Sequence, residues 1–148
     1  MSVQYPEALI TCNAGNSGIL IADKTAQTAI TANVKLTTNT ALRKARLNTV
    51  AGVGNIDFTV PVSGLYLVDA TVVIAAAGGA ANISLGFGTG TTFISYVSGV
   101  KQVAVELSLQ YNALLELDDN VVYSFIASAS ASTDIASGRI RLLQFPVT

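Results

Sequence analysis

Phe58-Thr59-Val60-Pro61-Val62-Ser63-Gly64-Leu65-Tyr66-Leu67 joins an alternating strand, a Pro/Gly turn and a second, unusually apolar strand. Ile56, Phe58, Val60 and Val62 alternate with Asp57, Thr59 and Pro61, the period-two pattern of a strand with one wet face. Beyond Gly64 the alternation stops. Val68 to Ile74 are apolar on both faces apart from Asp69 and Thr71, so neither side of that strand suits water. It calls for cover on both sides.

The same excess runs through the whole chain. Its 148 residues are 51% hydrophobic and only 11% charged, against about 25% charged in an average soluble protein. One domain of this length buries a sizeable core without disulfides or metals, yet it has few charges with which to cover its surface. The longest uncharged apolar run, Ala70 to Ala81, contains Thr71 and two glycines and falls short of the roughly 20 residues of a spanning helix, so no membrane partner is expected. Burial against other subunits is the remaining explanation, and an obligate oligomer is expected. The segment Met1 to Glu7 has no basic stretch ahead of an apolar core, which favours synthesis in a cytoplasm.

Outward from the opening segment, β-branched residues and threonine recur at period two, and no helical stretch stands out. Strands are expected near 8–12, 18–22, 28–37, 42–49, 55–62, 65–77, 82–87, 92–98, 101–111, 113–117, 121–128 and 138–146, with Ala41 to Leu47 as an alternative short helix. Turn residues separate them at Asn13 to Gly18, Ala51 to Asn55, Gly78-Gly79, Gly86 to Gly90, Ser98-Gly99, Asp118 to Asn120 and Ser128 to Gly138. Many short strands with regular turns predict an all-β sandwich or barrel.

Three motifs in order give that expectation a sharper form. Phe58-x-Val60-Pro61-x-x-Gly64-x-Tyr66 leads into the apolar strand. Leu115-x-Leu117 leads into the Asp118-Asp119-Asn120 turn, and Ser137-Gly138-x-Ile140-x-Leu142-Leu143 closes the chain. Together they resemble the jelly-roll superfamily of tumour necrosis factor and the complement globular head, over roughly residues 42–146. Asn120-Val121 departs from the family's Gly-Asp turn, as a distant relative would. The resemblance implies a two-sheet antiparallel jelly-roll sandwich and a compact homotrimer with inner sheets around a three-fold axis. It divides the chain into residues 1–40, an N-terminal arm or extra strands packed on the domain, and residues 41–148, the jelly-roll domain. Strands 65–77 and 121–127 are then expected to have one face in the core and the other on a neighbouring subunit. Leu65, Leu67, Asp69, Tyr123, Phe125, Arg139 and Arg141 are the interface candidates. Asp69 interrupts an apolar face and needs a partner, and the family's topology puts Arg139 or Arg141 beside it.

Chemistry finds little to work with. The chain has no histidine, and its single cysteine, Cys12, cannot form an internal disulfide; serine nucleophiles lack the usual base, and no enzymatic activity is expected. Glu116, Asp118 and Asp119 are too few and too sparse for a calcium site and read as a solvated turn. Gly86-x-Gly88-x-Gly90 precedes another strand rather than a helix, so it reads as a turn or bulge and not as a phosphate loop. No cofactor is implied. Arg43, Lys44 and Arg46 form a basic cluster on a chain of net charge −1; that is a poor footprint for nucleic acid and a better contact for an acidic protein surface.

These features, with the Ala/Thr/Gly/Asn-rich composition, point to a structural protein of a virus particle, most simply of a bacteriophage. The expected role is a trimeric capsid decoration or cement protein contacting the major capsid protein or another virion protein through Arg43, Lys44 and Arg46. A receptor- or glycan-binding fibre head using loops 86–92, 98–102 and 128–138 is the alternative. A secreted ligand of the tumour necrosis factor type is the third.

Overall fold

A computed structural model of the chain describes residues 19–24, 26–37, 43–44, 48–49, 57–60 and 62–144. The expected strand at 8–12, Cys12 and Arg46 lie outside the described residues. Period-two patterning is realised as strands throughout, and no helix occurs among the described residues.

In chain order the strands are β1 (Ile19–Lys24), β2 (Gln27–Ile30), β3 (Val34–Lys35), β4 (Arg43–Lys44), β5 (Asn48–Thr49) and β6 (Asp57–Thr59). They continue as β7 (Gly64–Ile74), β8 (Ala81–Thr89), β9 (Thr92–Lys101), β10 (Leu107–Leu117), β11 (Tyr123–Ala129) and β12 (Thr133–Gln144). All pairings are antiparallel. The first sheet runs β10-β7-β12-β1-β4, with β2 also on β12; the second runs β5-β6-β11-β8-β9, with β3 also on β11. The result is a two-sheet antiparallel jelly-roll sandwich. Within the segment 1–40, β1 lies between β12 and β4, while β2 and β3 join opposite sheets, so these residues are woven into the sandwich.

The three sequence motifs meet in space because β7 lies between β10 and β12, with Gly64 opposite Leu117 and Tyr66 opposite Gln144. Tyr66 is fully buried and its hydroxyl donates to the Val62 carbonyl at 2.7 Å, which ties the strand to its own entering turn. The Asp118–Asn120 turn docks there too. The Asp119 amide donates to Ser63 Oγ at 2.9 Å, and the Ser63 hydroxyl donates to Asp119 Oδ1 at 3.1 Å. Asp118 Oδ1 caps the Asn120 amide at 2.8 Å, so these carboxylates serve the turn.

Tyr66, Val68, Ala70, Val72 and Ile74 form the core face of β7, against Leu85 and Phe87 of β8 and Tyr123, Phe125 and Ala127 of β11. Each fully buried aliphatic or aromatic side chain contributes about 1.5–3 kcal/mol. Phe87 stacks on Tyr123 with ring centroids 5.3 Å apart and meets Phe125 edge-on at 5.2 Å.

Several expectations change. Tyr123 and Phe125 are 5% and 0% exposed and point into the subunit's own core, so they leave the interface set. Ile126 on the opposite face is 0% exposed as well; β11 is a central strand whose two-sided burial is complete within one chain. Residues 101–111 and 113–117 are not two strands. The chain leaves β9 after Lys101, loops through 102–106 and forms one strand from Leu107 to Leu117. In the sequence Val103, Val105, Leu107 and Leu109 alternate with Ala104, Glu106, Ser108 and Gln110 as one strand would, but this alternation spans a loop and a strand, and Val103 and Val105 are 66% and 53% exposed. Ser98-Gly99 is strand, not turn: a side chain at Gly99 would press on Leu109 and Leu107 of β10. Of the loops expected at 86–92, 98–102 and 128–138, most residues are paired strand, and the last shrinks to a short connection at 130–132. Gly86 and Gly88 stand at a register shift where β9 passes close enough to leave no room for a Cβ.

Candidate functional site

β7 presents its second face outward, flanked by β10 and β12, and cross-strand rows follow from register. Leu114, Leu67 and Leu143 form one row; Asn112, Asp69 and Arg141 form the next; Gln110, Thr71 and Arg139 form a third. Leu65, Leu67, Thr71 and Val73 are half-buried by these neighbours, and Leu114 is 52% exposed. The face is mixed, with one leucine row beside two polar rows, and Asp69, Arg141 and Arg139 stand in the polar rows.

Asp69 belongs to a satisfied cluster. Arg141 Nε donates to Asp69 Oδ2 at 3.1 Å, while Gln110 Nε2 and Asn112 Nδ2 approach Oδ1 at 3.3 and 3.4 Å. The Asp69 side chain is 8% exposed and that of Arg141 is 33% exposed, so the pair is shielded on the aspartate side and open on the arginine side. A nearly buried carboxylate is tolerated only with such donors. Of the two arginines offered by the sequence, Arg141 makes the contact; Arg139 lies opposite Thr71, one row along. Arg43 and Lys44 form β4, in register with Ile21 and Leu20 of β1 at the far side of the same sheet.

A second patch was not expected from the sequence. β9 ends the order of the second sheet, and its outward face carries Ile94, Tyr96 and Val100 at 55%, 58% and 56% exposure. Tyr96 leans on Phe93, with ring centroids 5.0 Å apart. β9 lies alongside β10, the terminal strand of the first sheet, as the closeness of Gly99 to Leu109 shows. The available signal was the one used for β7. Thr92 to Lys101 has large apolar residues at both parities, Phe93 and Val97 on one face and Ile94, Tyr96 and Val100 on the other.

No cluster of three metal-ligating side chains occurs among the described residues. Two groups titrate unusually. Burial pushes the Tyr66 phenol up to about 12, opposed by its bond to Val62 and helped by the negative Asp119. Burial also raises Tyr111, opposed by the Ser95 hydroxyl. Both are core phenols.

No protein-family model and no curated protein sequence matches the chain. Solved structures do. Murine APRIL matches with a TM-score of 0.62 at 9% identity, covering 87% of this chain and 99% of that one. The globular domain of zebrafish complement 1qA gives 0.55 at 14% identity, covering 90% and 99%. PRD1 vertex protein P5 gives 0.55 at 12% identity, covering 89% and 99%. The shared property is the jelly-roll fold of the tumour necrosis factor and complement-head type.

Proposed function

We propose that this jelly-roll chain is the subunit of a non-enzymatic homotrimer that decorates and cements a virus shell. A closed ring of three needs a heterologous contact, in which one surface of each subunit meets a different surface of the next. The outer face of the first sheet and the apolar edge at β9 are two such surfaces. The observation that carries the reading is that edge. Three large apolar side chains, each more than half exposed, share the face of one regular strand, and patches of this kind mark interaction sites.

In this arrangement Leu65, Leu67, Asp69, Arg139 and Arg141 lie on the axial side, and Arg141 loses its remaining exposure when a neighbour closes over it. A half-open ion pair beside a leucine row fixes how two subunits register, since any slip leaves a charge buried without its partner. The fold likeness to PRD1 vertex protein P5 and the low charge of the chain support a virion role. The trimer would stabilise a shell by adding buried area across junctions between capsid subunits, with Arg43, Lys44 and Arg46 facing an acidic capsid surface and residues 1–40 contributing to the same contact.

A receptor-binding fibre head is the second reading, favoured by the exposed Val103 and Val105 on the loop between β9 and β10. Light scattering on the purified chain should give a mass three times 15.2 kDa, and adding it to undecorated shells should raise the temperature at which they come apart. A monomer or dimer refutes the ring. A trimer that binds host cells or glycans and leaves shells unchanged selects the second reading.

A further inference from the structure

Lys101 ends β9 in a way that the subunit contacts do not explain. It is 1% exposed, among the most buried side chains of the chain. Its Nζ donates to four backbone carbonyls: Ala76 at 3.1 Å, Gly78 at 3.3 Å, Gly79 at 3.2 Å and Gln102 at 3.1 Å. An ammonium has three protons, so four oxygens at these distances engage all of them, with at least one proton shared. All four acceptors are carbonyl oxygens, the ligand that proteins use to strip and hold alkali cations.

The cage is made largely from a segment without polar side chains, tied at its start by the Ala75 amide, which donates to the Asp134 carbonyl at 2.8 Å. Residues 75–80 read Ala-Ala-Ala-Gly-Gly-Ala and contain no polar side chain. Gly78 takes a φ of +93°, a conformation suited to glycine, and this turn directs carbonyls inward. The opposite wall is the loop after Lys101, where Ala104 has a φ of 57° and its amide reaches the Gly78 carbonyl at 3.4 Å. Two loops without ionic side chains facing inward thus close around one charge supplied by a strand.

We infer that residues 76–79 and 102 form a monovalent-cation site of the potassium or ammonium class whose occupant is the chain's own Lys101. The side chain acts as a tethered ion that orders both loops at this end of the sandwich. Removing it leaves a vacant carbonyl site of the same preference. A neutral side chain of similar length fills the volume and satisfies none of the oxygens, whereas alanine opens the site to ions from solution.

Thermal melts of Lys101→Ala and Lys101→Met, in ammonium, propylammonium, potassium or tetramethylammonium chloride at matched ionic strength, test this. Both variants should melt roughly 10 °C or more below the parent in tetramethylammonium, on the usual scaling for a chain of this size. Ammonium, propylammonium or potassium should then raise Lys101→Ala by several degrees, while Lys101→Met and the parent gain nothing comparable. Equal effects of all four salts on Lys101→Ala, or a variant that melts with the parent, overturn the inference. Should Lys101→Ala not fold, amine-selective labelling of the parent decides: Lys101 should stay unmodified until the protein unfolds, and labelling at the rate of the other lysines overturns the proposal.

Discussion

Replacing Arg141 by Met keeps the length of the side chain and removes the charge that Asp69 faces across 3.1 Å. The aspartate is then 8% exposed with only two amide donors, at 3.3 and 3.4 Å. Breaking a fully buried pair costs about 3–5 kcal/mol, but Arg141 is one-third exposed; solvent screening brings the expected cost to about 1–3 kcal/mol. For a chain of this length that lowers the melting midpoint by roughly 3–10 °C. Asp69→Leu alone removes one partner of a less buried arginine and should cost less. The double variant, Asp69→Leu with Arg141→Met, replaces the pair by apolar groups and should recover most of the loss, because a buried pair is often matched by a hydrophobic substitute. The decisive quantity is the coupling from the double-mutant cycle, measured by thermal and urea unfolding in low and high salt, with sedimentation to follow assembly. A coupling of about 1 kcal/mol or more is expected, together with weaker or misregistered assembly in both single variants. If the double variant is as unstable as the sum of the singles, or if Asp69→Asn leaves midpoint and assembly unchanged, the reasoning about this pair is wrong.

The outward edge should separate assembly from folding: Tyr96→Asp is expected to break the oligomer and leave the secondary-structure spectrum of the subunit intact, as sedimentation and circular dichroism will show. Phe87→Ala should do the reverse, costing about 3–5 kcal/mol of subunit stability through the cavity it opens between Tyr123 and Phe125, read as a lower urea midpoint. The Tyr66 phenol holds its proton up to about 12 in the folded state, against about 10 in an unfolded chain. Its contribution is therefore complete below pH 10 and is lost as pH rises through 12. Tyr66→Phe should lose some stability at neutral pH, with the Val62 contact, and show a shallower decline between pH 10 and 12; an unchanged slope contradicts the assignment.

What the sequence disclosed depended on how much a short window constrains. β7 was legible at 65–77 because Gly64 and the apolar run bound it, and its observed limits are Gly64–Ile74. The Asp69–Arg141 contact follows from two signals: a charge on the largely apolar β7 demands a counter-charge, and the resemblance implies that the closing strand with its two arginines lies alongside. β11 misled because strand-wide apolarity has two sources, a central place in one's own sandwich or a partner's surface, and periodicity cannot tell them apart. Tyr123 and Phe125 belong to the first source. The Val103-to-Gln110 alternation failed for a different reason. It begins just after Lys101, which is anchored by carbonyls from residues distant in sequence, and runs unbroken from the loop into β10, so nothing local announces that the strand starts only at Leu107. β9 was expected as a strand at 92–98, but its apolar outward face was missed because serines and Gly99 dilute its apolar residues, although both parities carry them.

β9 also has a backbone edge, since it ends the order of its sheet. A terminal strand offers unpaired amides and carbonyls as a template for any extended chain it meets, and proteins commonly blunt that hazard with charges, proline or bulges. From Thr92 to Val100 this strand has neither a charge nor a proline, and the register shift opposite Phe87 and Gly88 is its one irregularity. The newly folded subunit therefore begins its existence adhesive, and its safety depends on how quickly it finds its proper neighbours. Specific assembly and aggregation both quicken with concentration, so the ratio of their rates at the time of folding governs yield as much as the stability of the fold does.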